Sequence, residues 1–228
     1  MILDTPIKKQ SLQKMAYHSL RQAILEREIE PGAVIKISKL AEKLNVSTMP
    51  VREALRDLEA EGLVTIFPHR GATVTQLSAD ELQDIYDIRV TLEEMATRLA
   101  VPLLTKADLT ELTSLVEQME DRLGDVAAVV KLNHQFHLTL YAASGRRHLC
   151  ELNRMLRYRV QHYLHVFIVE SEAGHSSRSQ GEHRAILEAC KRGDAEAAAT
   201  LMREHVAQVG HAIIEYVRQR DQNESSSN

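Results

Sequence analysis

The sequence predicts a mainly α protein in two parts. An N-terminal winged helix-turn-helix domain is expected over residues 10–76 and an all-α helical bundle over 78–220, with a disordered polar tail at 221–228. Three observations carry that reading. Apolar residues recur at helical spacing through most of the chain and are interrupted by Gly or Pro at short intervals. Brief β-branched stretches occur before residue 77, and no convincing strand follows. Charge divides at the same place: Met1–Thr75 holds 11 Lys/Arg against 9 Asp/Glu, a balance of +2, and the remainder holds 17 against 23, a balance of −6, giving the net −4. Only His18 and His69 of the 11 histidines fall in the first part. A mildly basic piece joined to an acidic, His-rich one suggests two tasks.

Composition narrows the class. With 44% hydrophobic residues in 228, there is enough apolar material to bury a core, which excludes disorder for most of the chain. No run reaches the roughly 18 apolar residues of a membrane-spanning helix, and the opening MILDTPIKKQ lacks the apolar centre of a secretion signal. Cys150 and Cys190 form neither a disulfide framework nor a CxxC motif. A cytoplasmic protein with no membrane partner is expected.

In the first part, Met15, Ala16, Leu20, Ala23, Ile24 and Leu25 give a helical stripe within Gln13–Glu28, which Pro31-Gly32 ends. Val34–Ile37 is a short strand, and Ser38 is expected to cap a helix with Leu40, Ala41 and Leu44 inward. Asn45-Val46-Ser47 turns the chain, and Ser47 or Thr48 caps the next helix, Thr48–Glu61. Pro50 lies in its first turn, where a missing N–H costs nothing. Val51, Ala54, Leu55 and Leu58 face inward, and Arg52 and Arg56 point away. Two β-like stretches, Leu63–Phe67 and Ala72–Gln76, flank a Pro68-His69-Arg70-Gly71 turn. In a winged helix-turn-helix the second helix of the turn enters the major groove with its N-terminal residues near the base edges.

The run SKLAEKLNVSTMPVREALRDLEAEGLV resembles the DNA-binding domain of the GntR family of bacterial transcription regulators. The resemblance implies that Arg52, the arginine of VREAL, reads guanine. Bidentate Arg to guanine is worth about 1–3 kcal/mol of discrimination. It also implies that Gly71, with His69 and Arg70, approaches the minor groove as a wing, and that Ser38, Lys39, Ser47 and Thr48 contact DNA. Ser38 and Thr48 stand where family members often carry arginine, so modest monomer affinity and reliance on dimerisation are expected.

Beyond residue 77, Ser78-Ala79-Asp80-Glu81 reads as a capping box opening a helix to about Leu104. Further helices start near Thr105–Asp108, Asp125, Arg147, Ser177 and Asp194, the last running to Arg220. Six helices make a bundle. Its distinctive feature is polar residues within apolar stripes. Arg89 lies amid Leu82, Ile85, Leu92, Ala96 and Leu99, and Asn133 and His137 edge Val129, Leu132, Phe136 and Leu140. His183 precedes Ile186, Leu187 and Cys190, and His205 falls among Ala198, Leu201, Met202, Val209 and Ala212. His134 is expected to point outward. Buried unsatisfied polar groups cost about 1–3 kcal/mol each, so several in one core suggest a purpose. Taken alone, the pattern fits either hydrogen-bonded core histidines or a metal site. Arg89 likewise fits an ion pair with Glu93 or a ligand contact.

This half is similar to the FCD ligand-binding domain of the FadR subfamily, in its shorter six-helix VanR-like version. RVTLEEMATRLA, NHQFHLTLYAASG, GEHRAILEACKRGDAEAA and REHV carry the resemblance. It implies a divalent transition metal, Zn or Ni first, on His137, His183 and His205, beside a cavity for a small carboxylate effector. Asn133 occupies the position of the family's carboxylate ligand. Arg89, and more weakly Arg159, are the expected effector contacts. The implied function is a homodimeric repressor of a metabolic operon, binding a palindromic double-stranded operator, and not an enzyme. Two other classes fit the same residues: a metal-responsive sensor, and a metal-dependent hydrolase in which Glu182 would be the base.

Overall fold

The structure, a computed structural model, describes residues 7–226 apart from 27, 68–69 and 171–173. The chain divides into two compact units, Met1–Gln76 and Leu77–Asn228.

In the first unit, helix α1 (Ile7–Leu25) buries Ala16, Leu20 and Ile24, one residue per turn, against helix α3 (Thr48–Ala60). Met15, expected in this stripe, is 64% exposed, because the buried line runs one step around the helix from it. Strand β1 is only Val34–Ile35, and α2 (Ile37–Lys43) starts one residue before the expected cap. Lys36 is its N-cap and supplies no side-chain bond, so Ser38 lies inside the first turn instead of capping it. Asn45 takes φ +51° between α2 and α3, a left-handed conformation that Asn tolerates in a tight turn. Ser47 is the N-cap of α3 by position but makes no side-chain cap bond. At its far end Gly62 (φ +73°) completes a Schellman motif. The Leu63 N–H donates to the Leu58 carbonyl and the Gly62 N–H to that of Glu59. Strands β2 (Val64–Phe67) and β3 (Gly71–Val74) form the wing hairpin, and β1 adds to it in the order β1-β3-β2, all antiparallel.

In the second unit, α4 (Ala79–Ala100) opens with the expected Ser78–Glu81 capping box. It stops four residues short of Leu104, since Pro102 has no N–H to continue the ladder, and a 3-10 turn (Val101–Leu103) follows. Helices α5 (Lys106–Asp121), α6 (Val126–Ala142), α7 (Arg147–Glu170), α8 (Gly174–Lys191) and α9 (Ala195–Ser226) complete the bundle. A second capping box, Thr105–Asp108, opens α5, and Asp125 caps α6. Residues 221–226 are helical, not a disordered tail. DQNESS contains neither Gly nor Pro, and a helix already nucleated adds residues cheaply. Helix α4 runs along α9 and also packs on α6 and α7. The α4–α9 approach is close: a Cβ on Gly210 would lie 2.5 Å from the Tyr86 ring. The residues most deeply buried here include Leu82, Phe136, Leu140, Tyr141, Ile186 and Leu187.

Candidate nucleic-acid interface and metal centre

The candidate nucleic-acid face of the first unit follows from the amphipathic split of α3. Val51, Ala54, Leu55 and Leu58 are fully buried, which fixes the rotation of the helix and turns Met49, Arg52 and Arg56 to solvent. Arg56 is tied to Glu53 at 2.9 Å. Arg52 has no hydrogen-bond or ion-pair partner among the described residues, so its guanidinium fork is available. Ser47 and Thr48 are exposed at the start of α3, and Ser38 and Lys39 are exposed on α2. Arg70 is exposed in the wing turn, and His69 lies outside the described residues. Gly71 (φ +98°) is confined by backbone, because a Cβ there would sit 2.4 Å from the Ile35 carbonyl oxygen.

In the second unit, α6 brings Asn133 and His137 to one face, one turn apart, while α8 supplies His183 and α9 supplies His205. All four are buried. The three imidazoles each offer a nitrogen, and these lie within 4.8 Å of one another. His183 Nε2 is 3.3 Å from His137 Nε2 and 2.9 Å from Asn133 Oδ1. The outer nitrogens are held from behind, His137 Nδ1 by the Tyr141 hydroxyl at 2.9 Å and His205 Nδ1 by Glu182 at 2.7 Å. Such partners fix the ring and turn the other nitrogen inward. Burial, helped by Arg157, pushes the His137 pKa well below the ordinary value, and burial together with His205 does the same to His183. Both are therefore neutral, the form that binds metal. Three convergent neutral imidazoles and an amide oxygen fit a divalent transition ion.

Behind this group lies a buried charge cluster. Glu93, fully buried, accepts from Arg89 Nε on Oε1 at 2.7 Å, and on Oε2 from Arg157 Nη1 at 2.8 Å and from the Tyr141 hydroxyl. Burial alone would raise the Glu93 pKa, but Arg89 and Arg157 outweigh it and hold the carboxyl below the usual range. The Arg89 guanidinium also lies 4.6 Å from the Tyr86 ring centre. A cavity of about 40 Å³ is lined by Arg89, Arg157, Asn133, His137 and His205. A larger one, of about 270 Å³ and walled mostly by carbon, adjoins it, with Asn133, Leu164, Ser179 and Val209 common to both.

Three expectations need correction. Arg159 lines neither cavity; Arg157 does. The buried face of α7 runs through Asn153, Leu156, Arg157, Val160 and Tyr163, whereas Leu152 is 46% exposed. Val160 and Leu156, four apart, were the signal that set this rotation. His134 does not point outward but is buried and stacked on Tyr158 at 4.3 Å. Glu182, considered as a catalytic base, is bound to His205. Sequence reasoning missed Arg157 and Tyr141 altogether. Tyr141 lies one turn beyond His137, a spacing that alone placed it behind the imidazole.

Comparison with known proteins matches both units. The family description "Bacterial regulatory proteins, gntR family" fits residues 12–74, and "FCD domain" fits residues 84–208. The HTH-type transcriptional regulator YdhC of Bacillus subtilis is 33% identical over 190 residues, covering 80% of this chain and 82% of its own. The HTH-type transcriptional repressor GlaR of Escherichia coli is 29% identical over 205 residues, covering 83% and 90%. The solved structure of E. coli McbR/YncC superposes with a TM-score of 0.77 at 29% identity, covering 92% of this chain and 98% of that one. Among the described residues, no helix is long and apolar enough to cross a membrane.

Proposed function

As the chain belongs to the GntR family of bacterial regulators and carries an FCD domain, it is a DNA-binding transcription regulator rather than an enzyme, and we propose that it represses a metabolic operon under the control of a small carboxylate effector. The observation that carries the effector half is the convergence of His137, His183 and His205 with Asn133 beside two adjoining cavities. A divalent ion held there would supply a Lewis-acidic anchor for the effector. Everything else is done by the chain's own residues. Glu182 and Tyr141 hold the rings in place, and Arg89 and Arg157 supply positive charge at the floor of the smaller cavity. The apolar wall of the larger cavity excludes water from the effector's body.

At the DNA end, Arg52 reads a base, while Ser38, Lys39, Ser47, Thr48, Arg70 and Gly71 fix the register against backbone and minor groove. A homodimer places two such readers on a palindrome. Exposed Ile88 and Met95, seven residues apart on α4, and exposed Leu152 on α7 support a second copy covering this side. Control follows from linkage. An effector that binds the DNA-free state more tightly weakens DNA binding by a factor equal to that by which DNA weakens effector binding.

Two measurements test the reading. Arg52→Ala, with a folded circular-dichroism spectrum, loses binding to duplexes selected from a random pool by the wild-type protein; unchanged affinity refutes the reader assignment. Elemental analysis of tag-free protein finds a divalent ion that is lost in His137→Ala/His183→Ala. Retention of the ion in the double variant refutes the centre.

A further inference from the structure

The buried charges around the histidines do not balance. Arg89 and Arg157 are each 5% exposed, and both lean on the single carboxylate of Glu93. One positive charge is therefore left over in the core. Imidazoles that ligate a metal bring no charge of their own, and the fourth inward donor, Asn133, is an amide. The only other acid in contact with the cluster among the described residues is Glu182, behind His205. A divalent ion bound at the imidazoles would leave the group two positive charges in excess even with Glu182 ionised. Uncompensated charge in a dry interior is strongly unfavourable. Glu93 cannot offset it, because both its oxygens are already engaged by the guanidiniums and by Tyr141.

The missing negative charge has a place to enter. Asn133 and His183 both line the larger cavity, and Asn133 also lines the smaller one, where Arg89 and Arg157 face inward. An anion whose head reaches Asn133 meets the imidazole cluster and the guanidiniums together. We propose that this pocket takes its metal and an anionic ligand as a pair. With an amide at the position of Asn133, the anion must bring the negative charge that the protein does not, so each raises the other's affinity. This rests on the metal-and-carboxylate reading above and adds that metal occupancy is conditional on the anion. The regulator would then respond to the two together and weakly to either alone.

The test measures zinc affinity by chelator competition on full-length, tag-free protein, comparing wild type with the near-isosteric Asn133→Asp. The first buffer holds perchlorate as its only small anion; acetate, lactate or benzoate is then added, with acetamide as the uncharged match to acetate. Without carboxylate, Asn133→Asp binds zinc about tenfold or more tightly than wild type, within the usual range of site-to-site coupling. A carboxylate raises wild-type zinc affinity by a similar factor, acetamide does not, and the gain shrinks in Asn133→Asp. Zinc raises carboxylate affinity, followed by ligand-observed NMR, by the same factor. Equal zinc affinity of the two proteins without carboxylate overturns the proposal and leaves the metal reading standing. So does a wild-type affinity that no carboxylate changes. Failure of both proteins to bind zinc removes the metal reading itself.

Discussion

Replacing Glu93 by Gln is the sharpest probe of the second unit. The carboxylate has 0% side-chain exposure, and its two cationic partners, Arg89 and Arg157, have 6% and 5%. Gln is nearly the same size, so no cavity opens and the change is one of charge. It leaves two guanidiniums facing each other without an anion, in a region where water cannot screen them. Breaking a buried pair by removing one partner costs about 3–5 kcal/mol. In a unit of this size 1 kcal/mol shifts Tm by roughly 2–4 °C, so a fall on the order of 10 °C is expected. Urea denaturation followed by circular dichroism reads the free energy, and calorimetry reads Tm. A companion variant with Met at 89, 93 and 157 separates charge from packing. Replacing a whole buried ion cluster by apolar residues of similar volume is often neutral or stabilising, so the triple variant should exceed Glu93→Gln in stability. A Glu93→Gln protein within about 1 kcal/mol of wild type would refute the claim that both arginines depend on this one carboxylate.

Two further outcomes follow from particular contacts. Gly210→Ala adds helix propensity worth up to about 1 kcal/mol, but the new Cβ falls 2.5 Å from Cδ1 of the buried Tyr86, and overpacking costs about 1–3 kcal/mol. The variant should melt lower than wild type, and a higher Tm would show that α4 and α9 are not in such close contact. Asp108 accepts from the Thr105 hydroxyl and backbone, and these bonds hold its pKa below the ordinary value. Its folded pKa lies under the unfolded one, so the cap's contribution is present above about pH 3.9 and is lost as pH falls through the lower folded value. A carboxyl NMR titration with a midpoint at or above that pH would contradict the capping box.

How much was legible in the sequence depended on whether local chemistry decided the outcome. Ser78 and Glu81, or Thr105 and Asp108, satisfy helix N-termini with atoms three residues apart, so those starts could be read directly. Val51, Ala54, Leu55 and Leu58 set the rotation of α3, and with it the exposure of Arg52, through period alone. The same periodicity gave Asn133, His137, His183 and His205 an inward direction on three separate helices. What it could not give was their meeting point. Nitrogens from α6, α8 and α9 come within 4.8 Å only through the packing of the whole bundle. Helix α7 shows the limit most clearly. Arg154, Arg157 and Arg159 lie within six residues, and a rotation of one position decides which of them enters the core. Contact with α4, where Glu93 waits for a second guanidinium, selects Arg157. Sequence by itself determined most of the elements, the two capping boxes and the buried face of α3, because these rest on interactions within a few turns of chain. Tertiary structure alone decided the charge cluster and the cavities, because these depend on side chains brought together from residues as far apart as 93 and 157, or 137 and 205.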